Sequence, residues 1–304
     1  MKSGYDFVVL GDICLDWSSD YLSFPFNALH ERQNRSEWTS IEESPGGSGL
    51  RFAYCAQEAG YSAFLIGKLG SDSAGRSILE WLEHRKIENG ITVTQGAKTG
   101  RVFMTYDKEG TRLLIANHSN ANGELSVSEI EQYKKIISNS EALFVSGHCF
   151  REPYSSRVEA TLTAMEIAYQ NNSCIIFDLV PHEFYKIYPD FSQFRQLTEH
   201  VSILISEVPT IRRILGLGNP KEEISRSIVE ETASALKPLY SGFILRYGLY
   251  NLSTQLVWDT QKPAPVFQEF DVPKKGRSGF GEKVALQTLS DVFGFRSKSK
   301  LEKD

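Results

Sequence analysis

The chain has 304 residues, of which 41% are hydrophobic, 12% aromatic and 23% charged, a composition that excludes a disordered or fibrous protein. Its formal net charge of -5 lacks the basic excess that general nucleic-acid binding requires. No stretch approaches the ~20 consecutive apolar residues of a membrane span, and acidic residues interrupt the N-terminal apolar run where a signal peptide would need an unbroken core. We therefore expect a cytoplasmic protein with neither nucleic-acid nor membrane partners.

The first predicted element is a strand, FVVLGDI, over residues 7–13. Asp12 and Asp16 lie at its end, and they share one face if the strand persists, because side chains alternate along a strand. Carboxylates at the carboxyl ends of parallel strands lie where α/β proteins bind ligands. Asp12 and Asp16 are therefore candidate ligand-binding residues, with turn formation as the alternative.

Strands and helices then alternate along most of the chain, which predicts an α/β protein with a mostly parallel sheet covered by helices. Apolar runs predict further strands over 63–69, 142–148, 174–180, 202–206, 242–248 and 253–259. Apolar positions three and four residues apart predict helices over 49–60, 73–86, 127–138, 155–170 and 222–237.

Two segments, 18–44 and 99–117, do not fit this alternation. The second consists of two extended runs around a four-residue turn at 107–110, which predicts a hairpin. Two interpretations remain open: a flap over a ligand site, or an edge hairpin that only packs or forms a homodimer.

The C-terminal stretch KKGRSGFGEKVALQTL, residues 274–289, predicts an anion-binding loop that leads into a helix. Gly279 and Gly281 leave the backbone N–H groups at the helix start free to face an anion. Glu282 is either a catalytic base or an acid that the helix dipole favours in a first turn. Phe280 stands where a serine-hydrolase elbow would end in glycine, which argues against that class. The scattered cysteines and histidines show no metal-ligand spacing.

Taken in order, the strand with Asp12 and Asp16, the glycine-rich segment and the C-terminal loop resemble the PfkB/ribokinase carbohydrate kinase family. PGGSGLRFAYCAQEAGYSAFLIGKLGSDSAGRSILEWL is similar to the N-terminal signature of the family, and GRSGFGEKVALQTL to its C-terminal signature. The resemblance implies a single ribokinase-like domain over 1–304. This domain would be an αβα sandwich with a mostly parallel central sheet and a small β lid near 18–44 and 99–117.

The resemblance also implies phosphoryl transfer from ATP, with Mg²⁺, to a hydroxyl of a sugar or nucleoside-like acceptor. Glu282 would be the general base, and Gly279, Phe280 and Gly281 would form the anion hole. The acceptor would contact Asp12, Asp16, Gly46, Gly47 and Arg51. The nucleotide would contact Arg246, Gly248, Lys275 and Arg277.

Several positions depart from the family pattern. Glu282 replaces an aspartate and is one methylene longer, while Ser206 and Pro209 stand where the family has a metal-organising Asn-x-x-Glu. Arg51 replaces an asparagine, which indicates an anionic or carboxylated acceptor if it faces the acceptor, and Arg246 replaces a threonine. Arg246 and the basic residues before the loop could neutralise phosphate where metal contacts are lost.

Three function classes stay open. The chain is a diverged ATP-dependent phosphotransferase, a catalytically inactive pseudokinase whose pocket binds a sugar, a nucleotide or a partner, or a non-kinase α/β enzyme. Phosphoryl transfer depends mainly on positioning and charge stabilisation. The altered residues therefore weaken catalysis but need not abolish it.

Overall fold

The computed structural model describes residues 4–26, 36–180, 183–218, 222–273 and 279–296, and these form two sheets with helices. The strands are β1 Phe7–Leu10, β2 Cys14–Tyr21, β3 Ile41–Gly46, β4 Ala63–Gly70, β5 Glu88–Thr94, β6 Gly100–Tyr106, β7 Arg112–Ala116, β8 Ala142–Ser146, β9 Cys174–Leu179, β10 Ile203–Glu207, β11 Gly242–Tyr247, β12 Thr254–Asp259 and β13 Val266–Glu269.

The helices are α1 Ser48–Glu58, α2 Ser73–Arg85, α3 Val127–Gln132, α4 Lys134–Asn139, α5 Ser156–Gln170, α6 Phe184–Ile187, α7 Phe191–Leu197, α8 Val208–Ile214, α9 Arg226–Leu236 and α10 Phe280–Asp291. Short 3₁₀ helices lie at Ala121–Glu124, Gly147–Phe150 and Leu249–Asn251. The helix predicted over 127–138 is two short helices that meet at Tyr133. In the described part of the chain, none of the helices has the length and hydropathy needed to cross a bilayer.

The large sheet has nine strands in the order β13-β12-β11-β10-β9-β8-β1-β4-β5. The strands from β11 to β5 run parallel, whereas β12 and β13 are antiparallel to their neighbours. Every residue of β1 and β8 is buried, as expected for strands covered on both faces. The predicted mostly parallel sheet is therefore confirmed.

Alternate residues of β1 enter two separate cores. Val8 and Leu10 pack into one core with residues of α5, α8 and α9, whereas Phe7 and Val9 pack into the other core with residues of α1, α2 and α10. Because successive side chains of a strand point to opposite faces, this division places helices on both sides of the sheet. The arrangement is the predicted αβα sandwich.

The small sheet has four strands in the order β3-β2-β6-β7, and it contains parts of both segments that broke the predicted alternation. The predicted hairpin is present as β6 and β7, which pair antiparallel around a turn with Gly110 at a φ of 85°. Strands β2 and β3 flank the undescribed residues 27–35 and also pair antiparallel.

The condition under which Asp12 and Asp16 would share one face, that the first strand persists, is not met. Strand β1 ends at Leu10 and β2 begins at Cys14 in the small sheet, so Asp12 lies in the link and Asp16 on the second strand. The physical reason is the helix that packs against the link. A Cβ at Gly11 would lie 2.6 Å from backbone atoms of Gly49, so α1 occupies the space beside the strand end.

Candidate active site

A cavity of about 310 Å³ lies between the two sheets. The small sheet contributes Val102, Met104 and Tyr106 from β6, all at alternate positions and therefore on one face. The large sheet contributes residues that follow its parallel strands, including Asp12 after β1 and His148 and Cys149 after β8. The cavity thus lies at the carboxyl ends of the parallel strands, where ligands bind in α/β sheets.

Asp12 forms a buried ion pair at one side of this cavity. Its Oδ1 accepts from Arg157 Nη1 at 2.5 Å, and its Oδ2 lies 3.8 Å from His148 Nδ1. Burial opposes ionisation of Asp12, but Arg157 and His148 hold the pKa of its carboxyl below the usual range. Asp12 is therefore an anion that can accept further hydrogen bonds from a ligand.

Asp16 forms a second pair with Arg51, in which Arg51 Nη2 lies 2.5 Å from Asp16 Oδ2. Cys14 Sγ also donates to Asp16 Oδ1 at 3.1 Å. Burial works against the charge of Arg51, but Asp16 and then Glu282 raise the pKa of the guanidinium above its usual value. Arg51 therefore interacts electrostatically with both the Asp16 carboxylate and Glu282, the predicted base.

Gly46 and Gly47 permit close approaches beside these aspartates. A Cβ on Gly46 would lie 2.1 Å from Asp16 Oδ2, so a side chain there would displace the carboxylate. Gly47 has a φ of 93°, and a Cβ there would lie 2.2 Å from the backbone oxygen of Asp12. That oxygen accepts from the N–H groups of Gly49 at 3.1 Å and Leu50 at 3.4 Å, which fixes the start of α1.

The C-terminal loop reaches the other side of the cavity. Gly279 has a left-handed φ of 78° and precedes α10, whose first residue is Phe280. Gly279, Gly281 and the half-buried Glu282 line the cavity, so the predicted base and the predicted acceptor residues share one space. Lys275 and Arg277 lie outside the described residues.

Arg246 links this loop to the large sheet. It belongs to β11, its side chain is 9% exposed, and its Nη2 donates to the carbonyl oxygen of Gly281 at 2.9 Å. Its Nη1 lies 3.9 Å from Oδ2 of Asp178, at the end of β9. Gly248, with a φ of 78°, follows β11 and is not among the residues that line the cavity.

Asp178 has an unusual environment for a carboxylate. Burial is the main cause that raises its pKa to about 6, since Arg246 opposes the shift while Glu282 and Glu207 reinforce it. Asp178 therefore loses its proton as the pH rises through about 6, and a cation beside the cavity favours its ionised form.

The described residues do not form a resident metal centre. Within the described ranges, no three His, Cys, Asp or Glu side chains cluster as metal ligands would. At the position of the metal-organising motif, Ser206 donates its hydroxyl to the backbone oxygen of Glu207 at 3.0 Å. Pro209 lies in the first turn of α8 and has no ligand atom in its side chain.

Sequence reasoning missed several residues that surround Asp12 and the link after β1. Arg157 and His148 approach Asp12 from α5 and from the 3₁₀ helix after β8, and nothing in their local sequence marks them. Asn122 lies within the NHSNANGELS segment that follows the hairpin. Its Oδ1 accepts from the N–H of Ile13 at 3.0 Å and its Nδ2 donates to the carbonyl of Ile13 at 2.9 Å.

The comparisons with known proteins agree with this architecture. The pfkB family carbohydrate kinase model matches residues 6–237. A 5-dehydro-2-deoxygluconokinase of Clostridium botulinum (strain Eklund 17B / Type B) is 25% identical over 183 residues, which are 59% of this chain and 50% of the relative. The chain thus spans about half the length of the curated relatives it matches.

Two solved structures illustrate the shared fold. Arabidopsis thaliana ribokinase complexed with ribose and ATP superposes with a TM-score of 0.67 at 16% identity, covering 98% of this chain and 88% of that one. Adenosine kinase from Schistosoma mansoni in complex with 2-fluoroadenosine gives a TM-score of 0.72 at 13% identity, covering 99% and 92%. With a ribokinase-like fold and a family match over residues 6–237, this chain belongs to the pfkB family of carbohydrate kinases.

Proposed function

We propose that this chain is an ATP-dependent phosphotransferase that acts on a hydroxyl of a small, negatively charged sugar. The observation that carries the proposal is the meeting of Glu282, Asp16 and Arg51 in one cavity beside the start of α10. Glu282 follows a loop of the anion-binding type, and Asp16 is a carboxylate of the kind that binds sugar hydroxyls. The related 5-dehydro-2-deoxygluconokinases and the ribokinase complexed with ribose and ATP support the same reaction class.

The chemistry would proceed as an in-line displacement. Glu282 removes the proton of the acceptor hydroxyl, the acceptor oxygen forms a bond to the γ-phosphorus of ATP, and the bond from that phosphorus to the bridging oxygen breaks to release ADP. The backbone N–H groups at the start of α10, from Gly279 to Gly281, would stabilise the charge of the transferred group. Mg²⁺ would enter as the counterion of ATP and screen its phosphates.

The acceptor side favours an anion. Asp12 and Asp16 are already paired with Arg157 and Arg51, so their charges are largely balanced. The other arginines that line the cavity on this side are Arg101, Arg112 and Arg151. Arg101 is paired with Asp72 at 2.9 Å, and Glu152 also lines this side, so Arg112 and Arg151 leave one net positive charge among the described lining residues here. A sugar acid matches this balance, and a gluconate-type acceptor named for the relatives carries the required carboxylate.

The nucleotide would lie on the side of the cavity formed by β11 and α10. Arg246 lines the cavity there, and Gly248 follows the same strand. We assign Gly248, Lys275 and Arg277 to the nucleotide as well, because the resemblance places them beside its phosphates.

The small sheet would act as the lid of a single domain, and the exposed side chains of Trp17 and Ile115 would form a homodimer contact.

A second candidate function is an inactive ligand-binding module. The observation that favours it is the absence of metal-organising groups at Ser206 and Pro209, together with the longer side chain of Glu282. A misplacement of ~1 Å in a catalytic group can cost ~100-fold in rate. Such a protein would keep the cavity and bind sugar acids without turning them over.

Release of ADP separates the two candidates. Sugars, sugar acids and nucleosides would be tested with Mg-ATP on the wild type, Glu282→Gln and Glu282→Asp, with Glu80→Gln, an exposed acid on α2, as the matched control. The kinase proposal expects turnover of a sugar acid that falls at least ~100-fold in Glu282→Gln and is unchanged in Glu80→Gln. If no acceptor exceeds the Glu282→Gln background and Glu282→Asp gains activity, the native chain is not a kinase. Thermal stabilisation by a sugar acid alone would then support the binding module.

A further inference from the structure

Arg246 has a set of contacts that leaves part of its guanidinium unused. The residue is 8% exposed and lines the cavity. Within the described residues, its Nε is a buried donor with no hydrogen-bond partner. Its Nη2 donates to the Gly281 carbonyl, and its Nη1 is 3.9 Å from Asp178 Oδ2, which is beyond hydrogen-bond distance. A guanidinium has five N–H donors, and among the described residues the bond to Gly281 engages one of those of Arg246.

The contacts of Arg246 place its guanidinium beside the start of α10. The hydrogen bond to Gly281 holds the guanidinium against the first turn of α10. The N-terminus of that helix, which spans 12 residues, favours an anion in the same region through its backbone N–H groups and its dipole. A Cβ on Gly281 would lie 3.4 Å from Arg246 Nη1, an ordinary contact distance, so the guanidinium borders the first turn of α10 directly.

On the side of the cavity formed by β11 and α10, Arg246 is the arginine among the described lining residues, while Lys275 and Arg277, which we also assign to the nucleotide, lie outside the described residues. Within the described ranges, no carboxylate cluster is arranged to hold a metal ion, and Ser206 bonds to the backbone. The nearest carboxylate, Asp178, does not form a hydrogen-bonded pair with Arg246. An arginine that is buried, poorly paired and next to a helix N-terminus is suited to bidentate recognition of a phosphate.

We propose that Arg246 binds the terminal phosphate of the donor nucleotide and supplies there part of the positive charge that a protein-bound metal ion supplies in other phosphotransferases. The proposal rests on the proposed function only for the identity of the donor. Arg246 would hold the terminal phosphate at the mouth of the Gly279–Gly281 loop through Nε–H and an Nη–H. The acceptor proton would still pass to Glu282.

A purely structural role for Arg246 makes a different prediction. If Arg246 only braces the Gly281 carbonyl, a glutamine amide could replace its donor and binding would be little affected. If it binds the terminal phosphate, loss of the charge removes affinity for ATP more than for ADP, because ADP lacks that phosphate.

Nucleotide binding without metal and without acceptor tests the inference. The affinities for ATP and ADP would be measured in excess EDTA by calorimetry for the wild type, Arg246→Gln and Arg246→Lys. Lys283→Gln removes one exposed cation from the same helical turn and is the matched control. We expect the preference of the wild type for ATP over ADP to fall by roughly tenfold or more in Arg246→Gln, partly in Arg246→Lys, and not in Lys283→Gln.

The outcomes separate this inference from the proposed function. An inactive protein that loses its ATP preference in Arg246→Gln supports the role of Arg246 and refutes only the kinase. An active kinase whose ATP preference is the same in Arg246→Gln refutes the role of Arg246 and leaves the kinase intact. Wild-type protein that binds neither nucleotide in EDTA also overturns the inference. If Arg246→Gln does not fold, the comparison of Arg246→Lys with Lys283→Gln decides, because equal ATP preference in these two contradicts bidentate binding.

Discussion

Arg157 and Asp12 are 145 residues apart in the sequence, yet their side chains meet at 2.5 Å beside the cavity. Arg157 comes from the first turns of α5 and is almost completely buried, whereas Asp12 lies in the link between the two sheets and keeps some contact with water. The pair ties the Asp12 side of the cavity to α5, a helix that packs on the large sheet.

Replacement of Arg157 by leucine should therefore destabilise the protein. Asp12 would keep a partly buried charge without its partner, which costs about 3 kcal/mol in the free energy of unfolding, at the lower end of the range for buried pairs. Urea unfolding would measure the loss. Lys134→Ala, which breaks an exposed pair with Glu131, should change the free energy of unfolding by less than about 1 kcal/mol. Equal losses in the two variants would contradict the prediction.

Two glycines with similar backbone angles should respond differently to alanine. Gly47 and Gly96 have φ values of 93° and 80°, so alanine at either site incurs a conformational cost of roughly 1 kcal/mol. A Cβ at Gly96 would meet no atom within 4 Å, whereas one at Gly47 would clash with the backbone oxygen of Asp12. We expect Gly47→Ala to lose at least about 1 kcal/mol more than Gly96→Ala in denaturant unfolding. Similar losses would show that the Asp12 link yields easily.

Stability should depend on pH through Asp178. Its pKa of about 6 in the folded protein exceeds the ordinary value of 3.8, so the folded state binds more protons between these values. The contribution of Asp178 to stability is therefore present at low pH and is lost as the pH rises through about 6. Relative to the wild type, Asp178→Asn should gain about 2 to 3 kcal/mol in the free energy of unfolding between pH 4 and pH 7.5.

Unfolding curves for both proteins at several pH values provide the measurement and an internal control. Above about pH 7 the difference between Asp178→Asn and the wild type should no longer change with pH. A difference that stays constant from pH 4 to pH 7.5 would mean that Asp178 titrates normally.

Arg51 should decide which acceptors bind. It lines the cavity and carries a charge that only Asp16 neutralises through a direct ion pair among the described residues. We expect Arg51→Gln to raise the KM for a sugar acid by about tenfold while it changes the KM of the corresponding neutral alditol much less. Initial rates with the two acceptors measure the ratio. An equal rise for both acceptors would assign Arg51 to the support of Asp16 alone.

The sequence predicted the centre of the fold better than its edges. Strands β8 and β9 begin with the apolar runs ALFV and CIIF, as expected for strands covered by helices on both faces, and such runs are visible in the sequence. The edge strands β5 and β13 were not predicted, since each is partly exposed and reads ENGITVT and VFQE. The hairpin was predicted because its turn and its two extended runs are local features.

In the site, too, residues in local motifs could be predicted from the sequence, whereas pairs between distant segments could not. Gly47 before α1, and Gly279 and Gly281 before Glu282, belong to local motifs and line the cavity, whereas Gly46 and Phe280 are not among its lining residues. The pairing of Asp12 with Arg157 could not be predicted, because it depends on how α5 packs on the sheet and leaves no periodic trace in the sequence. The break between β1 and β2 was also missed, since the space beside Gly11 is taken by Gly49, which is distant along the chain.

The pairing of Asn122 with Ile13 has a mechanical consequence. Ile13 lies in the link that carries the chain from the large sheet to the small one, and the Asn122 amide satisfies both of its backbone groups as a neighbouring strand would. Rotation of the small sheet about this link would break two buried hydrogen bonds, each worth about 1 kcal/mol net. The link is therefore braced in one geometry, and any rotation of the small sheet about it would have to replace both hydrogen bonds.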